Sequence, residues 1–494
     1  MIVVLVSPYP DLTAFGLRTL SACLRRAGIE ARMVFLPDRA SEDGAAGPDR
    51  YPQAVLEQLA ALCVDAGLIG ISLMTNSFDN AVQITRHLRQ AGRIPVVWGG
   101  VHPTLRPQEC LEYADFVCVG EGEQALVDLA RALVWGGDTR AIPGIWDRRA
   151  GSGPGVPPRP LVRELDRLPA PDYALEGHFV LDGSRIEPLN LARQRQFMAG
   201  ASLSSLYGRI GYQTLTGRGC PHRCSYCAND ALRTMYPDSP PVRWRTADHV
   251  MQELEAARRA MPFIEFVWFS DDALTSMPGK AMREFFGQYR ERIGLPFSCL
   301  TSPLTLAAEK MDILMDAGLF SLQMGVQTGS PRIQKLYNRA SMTNERILSA
   351  MNCIHAHRRR MMPPLYDIIL DAPFETAEDK RQTVALVARM PKPFRLQLFS
   401  LTFFPGTGLE LQAREAGFMH GEPPEIYRKS YEERAPGYHN LLLTMARGGR
   451  FPSPLLRFLA WRPVAAAFGG DAFKPAWAGI FTALRRLKRR FFRP

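Results

Sequence analysis

Continuous apolar runs separated by amphipathic stretches recur along the first 140 residues, and this alternation restricts the fold more than any other feature of the chain. Residues 2–7 (IVVLVS) suit a strand buried on both faces, Pro8 and Pro10 mark a turn, and 12–28 follow with helical periodicity. The pattern continues with strand 31–36, helix 54–66, strand 68–74, helix 79–91, strands 95–98 and 116–119, and helix 125–133. Such alternation predicts an α/β domain with a doubly wound, Rossmann-like parallel sheet over 1–140.

Residues 151–171, with GSGPGVPPRP and LPAPDY, are rich in Gly and Pro, and 141–205 is expected to be a connection between domains. A second alternating series follows over 206–410, with strands at 212–216, 265–269, 297–300, 321–326, 367–370 and 395–398. It predicts a second parallel layer closed into a partial barrel. From 411 to 494 the periodicity weakens, and a mainly helical region with a basic amphipathic tail is expected.

A length of 494 residues implies two or three cores, and 46% apolar with 22% charged residues excludes disorder over most of the chain. The N-terminus lacks a signal-peptide pattern and no long uninterrupted apolar run occurs, so a reducing cytoplasm is expected. Six of the nine cysteines are scattered singly through apolar surroundings, as buried packing residues are.

The other three form one cluster. TGRGCPHRCSYCAND places Cys220, Cys224 and Cys227 in a Gly-bounded loop directly after a predicted strand. Thiolates on a loop can converge on one corner of an iron–sulfur cluster, and three protein ligands leave one iron open to a small molecule. A zinc site completed by His222, or plain burial, is the alternative reading.

The Cys-x3-Cys-x2-Cys spacing, with Tyr226 before the last cysteine, resembles the radical S-adenosylmethionine superfamily over about 205–410. That resemblance implies a 4Fe-4S cluster whose open iron binds S-adenosylmethionine and cleaves it to a 5′-deoxyadenosyl radical. Three further segments look like the family: FVWFSDDALT with Ser270, Asp271 and Asp272; MGVQTGS with Gly325, Gln327 and Thr328; and DIILDAPFETAED. They imply cofactor contacts at strand ends, where a parallel sheet places its ligands, although helix capping also accounts for the two aspartates. Gln327 stands where relatives commonly have Glu.

In the first domain, the strand-end loops carry Ser7 and Pro8, then Ser72, Thr75 and Asn76, then Gly99, Gly100 and His102, and then Glu121 and Gly122. On their own these say that something flat or phosphorylated lies across the sheet edge. In this order, ahead of the cysteine loop, they resemble the cobalamin-binding domain of one branch of the radical family. The loop SPYPDLTAFG lacks the histidine that many cobalamin domains offer to cobalt, and His102 is read as an edge or loop-structuring residue.

The combined resemblance implies a cobalamin-dependent radical methyltransferase acting on an unactivated carbon of a hydrophobic or lipid-like small molecule. Cyclisation, oxidation or rearrangement with the same cofactors, or a non-catalytic cobalamin sensor, are the alternatives. An electron donor such as flavodoxin or ferredoxin is implied, and no side chain is identified as catalytic at the substrate. Arg485, Arg486, Lys488, Arg489, Arg490 and Arg493 end a Trp- and Phe-containing stretch suited to peripheral contact with a membrane, or to packing on the barrel, with nucleic acid the least expected partner.

Overall fold

The computed structural model describes residues 1–9, 11–37, 51–151, 155–419, 435–470, 473, 475–480 and 483. The basic run 485–493 lies outside them. The first sheet holds β1 (Ile2–Ser7), β2 (Glu30–Phe35), β3 (Ala66–Ser72), β4 (Val96–Gly99), β5 (Phe116–Cys118), β6 (Ile145–Asp147), β7 (Phe179–Asp182) and β8 (Arg185–Pro188). Their order is β6-β5-β4-β3-β1-β2-β7-β8, parallel except for β6 and β8 at the two edges.

Val3 and Leu5 face helices Phe15–Arg26 and Gly122–Trp135, while Val4 and Val6 face helices Gln53–Cys63 and Phe78–Ala91. Both faces are dry, which is why IVVLVS reads as an unbroken apolar run rather than an alternating one. Strand order reverses between β1 and β3, and in such sheets the crevice beyond the strand ends at that point receives the ligand.

The stretch 141–205 is more than a connection, because three short strands within it extend the first sheet at both edges. β7 pairs with β2, and β6 with β5. Their shortness hid them: strands of three or four residues at a sheet edge need little apolar sequence.

The second sheet holds β9 (Gly211–Thr214), β12 (Phe266–Phe269), β13 (Phe297–Thr301), β14 (Leu319–Gln327), β15 (Leu365–Leu370) and β16 (Arg395–Ser400), with β10 (Gly217–Gly219) and β11 (Val242–Trp244) forming a separate antiparallel pair. All neighbours in the six-stranded sheet are parallel, in the order β16-β15-β14-β13-β12-β9, a partial barrel. Tyr212, Val267, Phe269, Leu322, Met324, Ile368 and Leu398 form the core beneath its helices. The alternate positions, among them Gln213, Trp268, Gln323, Asp367 and Gln397, are only half-buried and line the concave side.

After the barrel come helices Gly408–Glu415, Tyr438–Ala446, Ser453–Leu459 and Arg462–Phe468, so the C-terminal region is helical as expected. The Leu396 N–H donates to Arg447 O at 2.8 Å, and the segment after helix Tyr438–Ala446 thereby covers the free edge of β16.

Candidate functional site

A cavity of about 490 Å³ opens between the two sheets. From the first domain it is lined by the ends of β3 and β4 (Ser72, Gly99, Gly100) and by Glu121 and Gly122. From the second come Gly219, Cys220, Asn229, Asp271 and Asp272. Residues expected to serve two different cofactors therefore meet in one space, although 97 residues separate Glu121 from Arg218, one of its partners in the second domain.

Its first-domain wall suits a large, flat cofactor. Gly16, Gly70, Gly99, Gly100, Gly120 and Gly122 all line it, leaving bare backbone against the space. Gly100 has φ +108, and a Cβ there would stand 2.5 Å from Leu73 O, so no other residue fits without strain. The Tyr236 hydroxyl on the cavity wall is a buried polar atom with no partner among the described residues, whereas the Ser7 Oγ, likewise without one, lies behind the wall at the end of β1. An orphaned donor on the wall is expected where a polar ligand completes the site.

The cysteine loop runs from the end of β10 to Cys227, the N-cap of helix Ala228–Met235. Burial pushes the thiols of Cys220 and Cys227 up to about 12 and about 11, so they ionise only when a metal takes the proton's place. Among the described residues no three His, Cys, Asp or Glu side chains converge as ligands of a single ion. A cluster needs no such convergence, since each thiolate binds a different iron, whereas a zinc site does. His222, the candidate fourth zinc ligand, instead bonds Ser302 Oγ at 2.7 Å. The donor set fits an iron–sulfur cluster and not zinc.

Asp271 neither caps a helix nor is left free for a cofactor. It accepts from the Thr216 N–H and hydroxyl at 2.9–3.0 Å and from the Gly217 N–H at 2.8 Å, tying β12 to the loop that leads into the cysteines. Burial nevertheless pushes its pKa up to about 6 against the pull of those donors. Asp272 faces the cavity with one partner, Asn229 Nδ2 at 2.9 Å. Ser270 accepts from Gln213 Nε2 at 2.9 Å.

On β14, Gly325 O accepts from Arg339, and Gln327 adopts φ 73 at a register shift against β15. The Gln327 Oε1 is buried without a partner among the described residues. A strained residue that offers an unused acceptor at a strand end is a ligand-contact candidate.

Five expected positions are placed elsewhere. Thr75 and His102 are buried and bond each other at 3.2 Å, with His102 also 3.6 Å from Glu109 and packed on Phe78. Burial lowers the imidazole to about pKa 4, so His102 structures the loop and does not reach the cavity. Asn76 is exposed beside it and also off the cavity wall. Thr328 is fully buried and bonds Thr383 Oγ1 at 3.1 Å, joining β14 to helix Ala377–Val387. Pro8 is buried behind Ser7.

Three arginines were missed. Arg218 and Arg243 on β10 and β11 grip Glu121 at 2.9 and 2.8 Å, and Arg218 also pairs with Glu123 at 2.6 Å. Glu121 is thus a bridge between the domains at the cavity wall, and these ion pairs hold its carboxyl below the usual range despite burial. Arg339, 5% exposed, donates to Cys224 Sγ at 3.4 Å and to Gly325 O at 2.7 Å, linking the cysteine loop to β14. Tyr226 packs edge-on against Tyr337 beside it, with ring centroids 5.0 Å apart. Neither an isolated Arg in a three-residue strand nor one 115 residues from its cysteine has a local sequence signal.

Comparison with known proteins agrees with this geometry. Residues 1–130 match the B12 binding domain and 214–387 match the radical SAM superfamily. The chain is 23% identical over 352 residues to an uncharacterised methyltransferase of Pyrococcus horikoshii, covering 70% of this chain and 69% of that one. It is 28% identical over 250 residues to an anaerobic magnesium-protoporphyrin IX monomethyl ester cyclase of Synechocystis, covering 49% and 41%. In fold it resembles the radical S-adenosylmethionine methyltransferase TsrM of Kitasatospora setae, with a TM-score of 0.64, 19% identity and coverage of 85% and 77%. The cobalamin-dependent enzyme OxsB, solved with aqua-cobalamin, gives 0.63 at 14% identity, covering 86% and 62%. The chain thus carries a B12-binding domain followed by a radical SAM superfamily domain, and its cofactors are a 4Fe-4S cluster, S-adenosylmethionine and cobalamin.

Proposed function

We propose that the protein methylates an unactivated carbon of a hydrophobic small molecule. The observation that carries this reading is the single cavity onto which both Cys220 and the glycine-rich cobalamin-side loops open. When bound there, the cluster and S-adenosylmethionine supply a carbon-radical generator and cobalamin supplies a methyl group. Cys220, Cys224 and Cys227 would hold the cluster, with Arg339 donating to the Cys224 sulfur. Gln327 and Asp272 offer acceptors to S-adenosylmethionine. Gly99, Gly100, Gly120 and Gly122 admit the corrin, and the Glu121 ion pairs keep both walls in register so that water is excluded from the space between.

On the concave face Trp268 and Phe399 offer apolar contacts among the polar Gln213, Gln323, Asp367 and Gln397, which supports a largely hydrophobic substrate that also carries polar groups. An electron donor of flavodoxin or ferredoxin type would reduce the cluster.

The likeness to a cyclase favours one second reading, radical ring closure with the same cofactors. Anaerobic reconstitution with methyl-labelled S-adenosylmethionine tests between them. Methyl transfer predicts 5′-deoxyadenosine together with label on cobalamin. Deoxyadenosine with no label on cobalamin supports cyclisation, and formation of neither rejects both.

A further inference from the structure

Residues 435–494 hold eleven lysines and arginines against one acidic residue, Asp471, and so carry nearly all of the chain's net charge of +11. Apolar side chains in the same region point outward. Helix Ser453–Leu459 buries only Leu456 and leaves Leu455 and Phe458 45% and 56% exposed. Helix Arg462–Phe468 buries only Ala465, and Trp461 and Phe468 at its two ends are 59% and 42% exposed. Phe473 and Ile480 continue the exposed series. A helix of a globular domain turns its apolar stripe inward, so this arrangement marks an interaction surface.

The surface is held in place. Tyr438 OH donates to Leu459 O at 2.9 Å, and its ring packs on Phe468 and Trp477 at 6.2 and 5.4 Å. Arg381 donates to Ala460 O at 3.1 Å, and Arg462 pairs with Glu378 on helix Ala377–Val387 at 3.1 Å. The exposed side chains are therefore presented from a docked scaffold.

We propose that this face binds an anionic phospholipid bilayer: Leu455, Phe458 and Trp461 enter the boundary between headgroups and acyl chains, and the exposed Arg450 and Arg457 beside them meet lipid phosphates. A nucleic acid would satisfy the arginines but leave Leu455 and Ile480 hydrated, since aliphatic side chains neither stack on bases nor bond to them. No helix among the described residues is long and apolar enough to cross a membrane, so the contact is interfacial.

The test is co-sedimentation of the full, cofactor-loaded chain with phosphatidylcholine vesicles and with mixed phosphatidylcholine–phosphatidylglycerol vesicles. Binding is expected to the mixed vesicles, weakening as salt rises. The Phe458→Ser/Trp461→Ser variant is expected to lower it at least ~10-fold while S-adenosylmethionine cleavage in solution stays unchanged. Should that variant not fold, Leu455→Ser and Arg457→Gln read the apolar and charged parts separately, and each is expected to weaken binding. The proposal is overturned by absence of vesicle binding, by binding that none of these substitutions alters, or by a lipid-independent dimer that the same substitutions dissolve. Retention of an RNA oligonucleotide in preference to vesicles would overturn it in favour of nucleic acid. None of these outcomes bears on methyl transfer.

Discussion

Replacing Asp271 separates a cofactor-contacting carboxylate from one that shapes the cysteine loop. Asp271→Ala removes the acceptor of two buried backbone N–H groups and one hydroxyl just ahead of Cys220. Each unsatisfied donor costs about 1–3 kcal/mol, and water entering from the cavity offsets part of that. A net loss of about 3 kcal/mol shifts the loop equilibrium roughly 100-fold away from the geometry that presents Cys220. Asp271→Asn keeps the oxygen on which the Thr216 hydroxyl and Gly217 N–H converge, and a neutral amide escapes the desolvation that raises this carboxyl to about 6. Its cost is about 1 kcal/mol. Iron and sulfide per chain, with cluster absorbance after anaerobic reconstitution and circular dichroism as the folding control, should show near-normal loading in Asp271→Asn and deficient loading in Asp271→Ala. Full loading of the alanine variant, or equal loss in both, would refute the loop-anchoring argument.

Alanine at Cys220, Cys224 or Cys227 should abolish cluster absorbance and S-adenosylmethionine cleavage, whereas alanine at the buried Cys23 or Cys63 should spare both; equal loss in the two sets would break the ligand assignment. Gly100→Ala should weaken cobalamin affinity in equilibrium dialysis by about 1–3 kcal/mol, because its Cβ meets Leu73 O and φ is +108, and unchanged affinity would argue against a backbone cradle at this position. Glu121→Gln and Arg243→Met should show a coupling of about 2 kcal/mol in a double-mutant cycle on stability, less than a fully buried pair because Arg218 remains to hold Glu121, and simple additivity would deny the bridge. Burial raises Asp367 and Glu375 to about 7, so the native state keeps protons that the unfolded chain releases near pH 4. Their contribution to stability is full below about pH 4 and lost as pH rises through about 7, so chemical denaturation should show a slope over that window that is shallower in Asp367→Asn; an unchanged slope would contradict the assignment.

The two sheets were legible in the sequence because strands covered on both faces leave an apolar run such as 2–7, barrel strands open to the concave side alternate as SLQMGV does at 321–326, and the helices between them leave a clear period. The cysteine loop was legible because three soft ligands at tight spacing have few other uses. What stayed hidden is non-local. The role of Asp271 depends on Thr216 lying beside it across parallel strands 55 residues apart, so neither capping nor cofactor contact anticipated it. Glu121 was expected at the cofactor, yet its strongest partners, Arg218 and Arg243, sit on a short antiparallel pair that was not foreseen. His102 and Thr75 carry polar side chains in the right loops but turn them toward each other, which strand-end position alone does not determine. The strands within 141–205 escaped because short edge strands need only a few backbone hydrogen bonds and little apolar sequence.

The central claim is that one cavity brings cluster and cobalamin together. Electron paramagnetic resonance of the anaerobically loaded protein, with the cluster reduced and cobalt in its paramagnetic state, tests it most directly. Mutual broadening or splitting of the two signals is expected, lost in Cys220→Ala. Two unperturbed, independent signals from a fully loaded sample would contradict it.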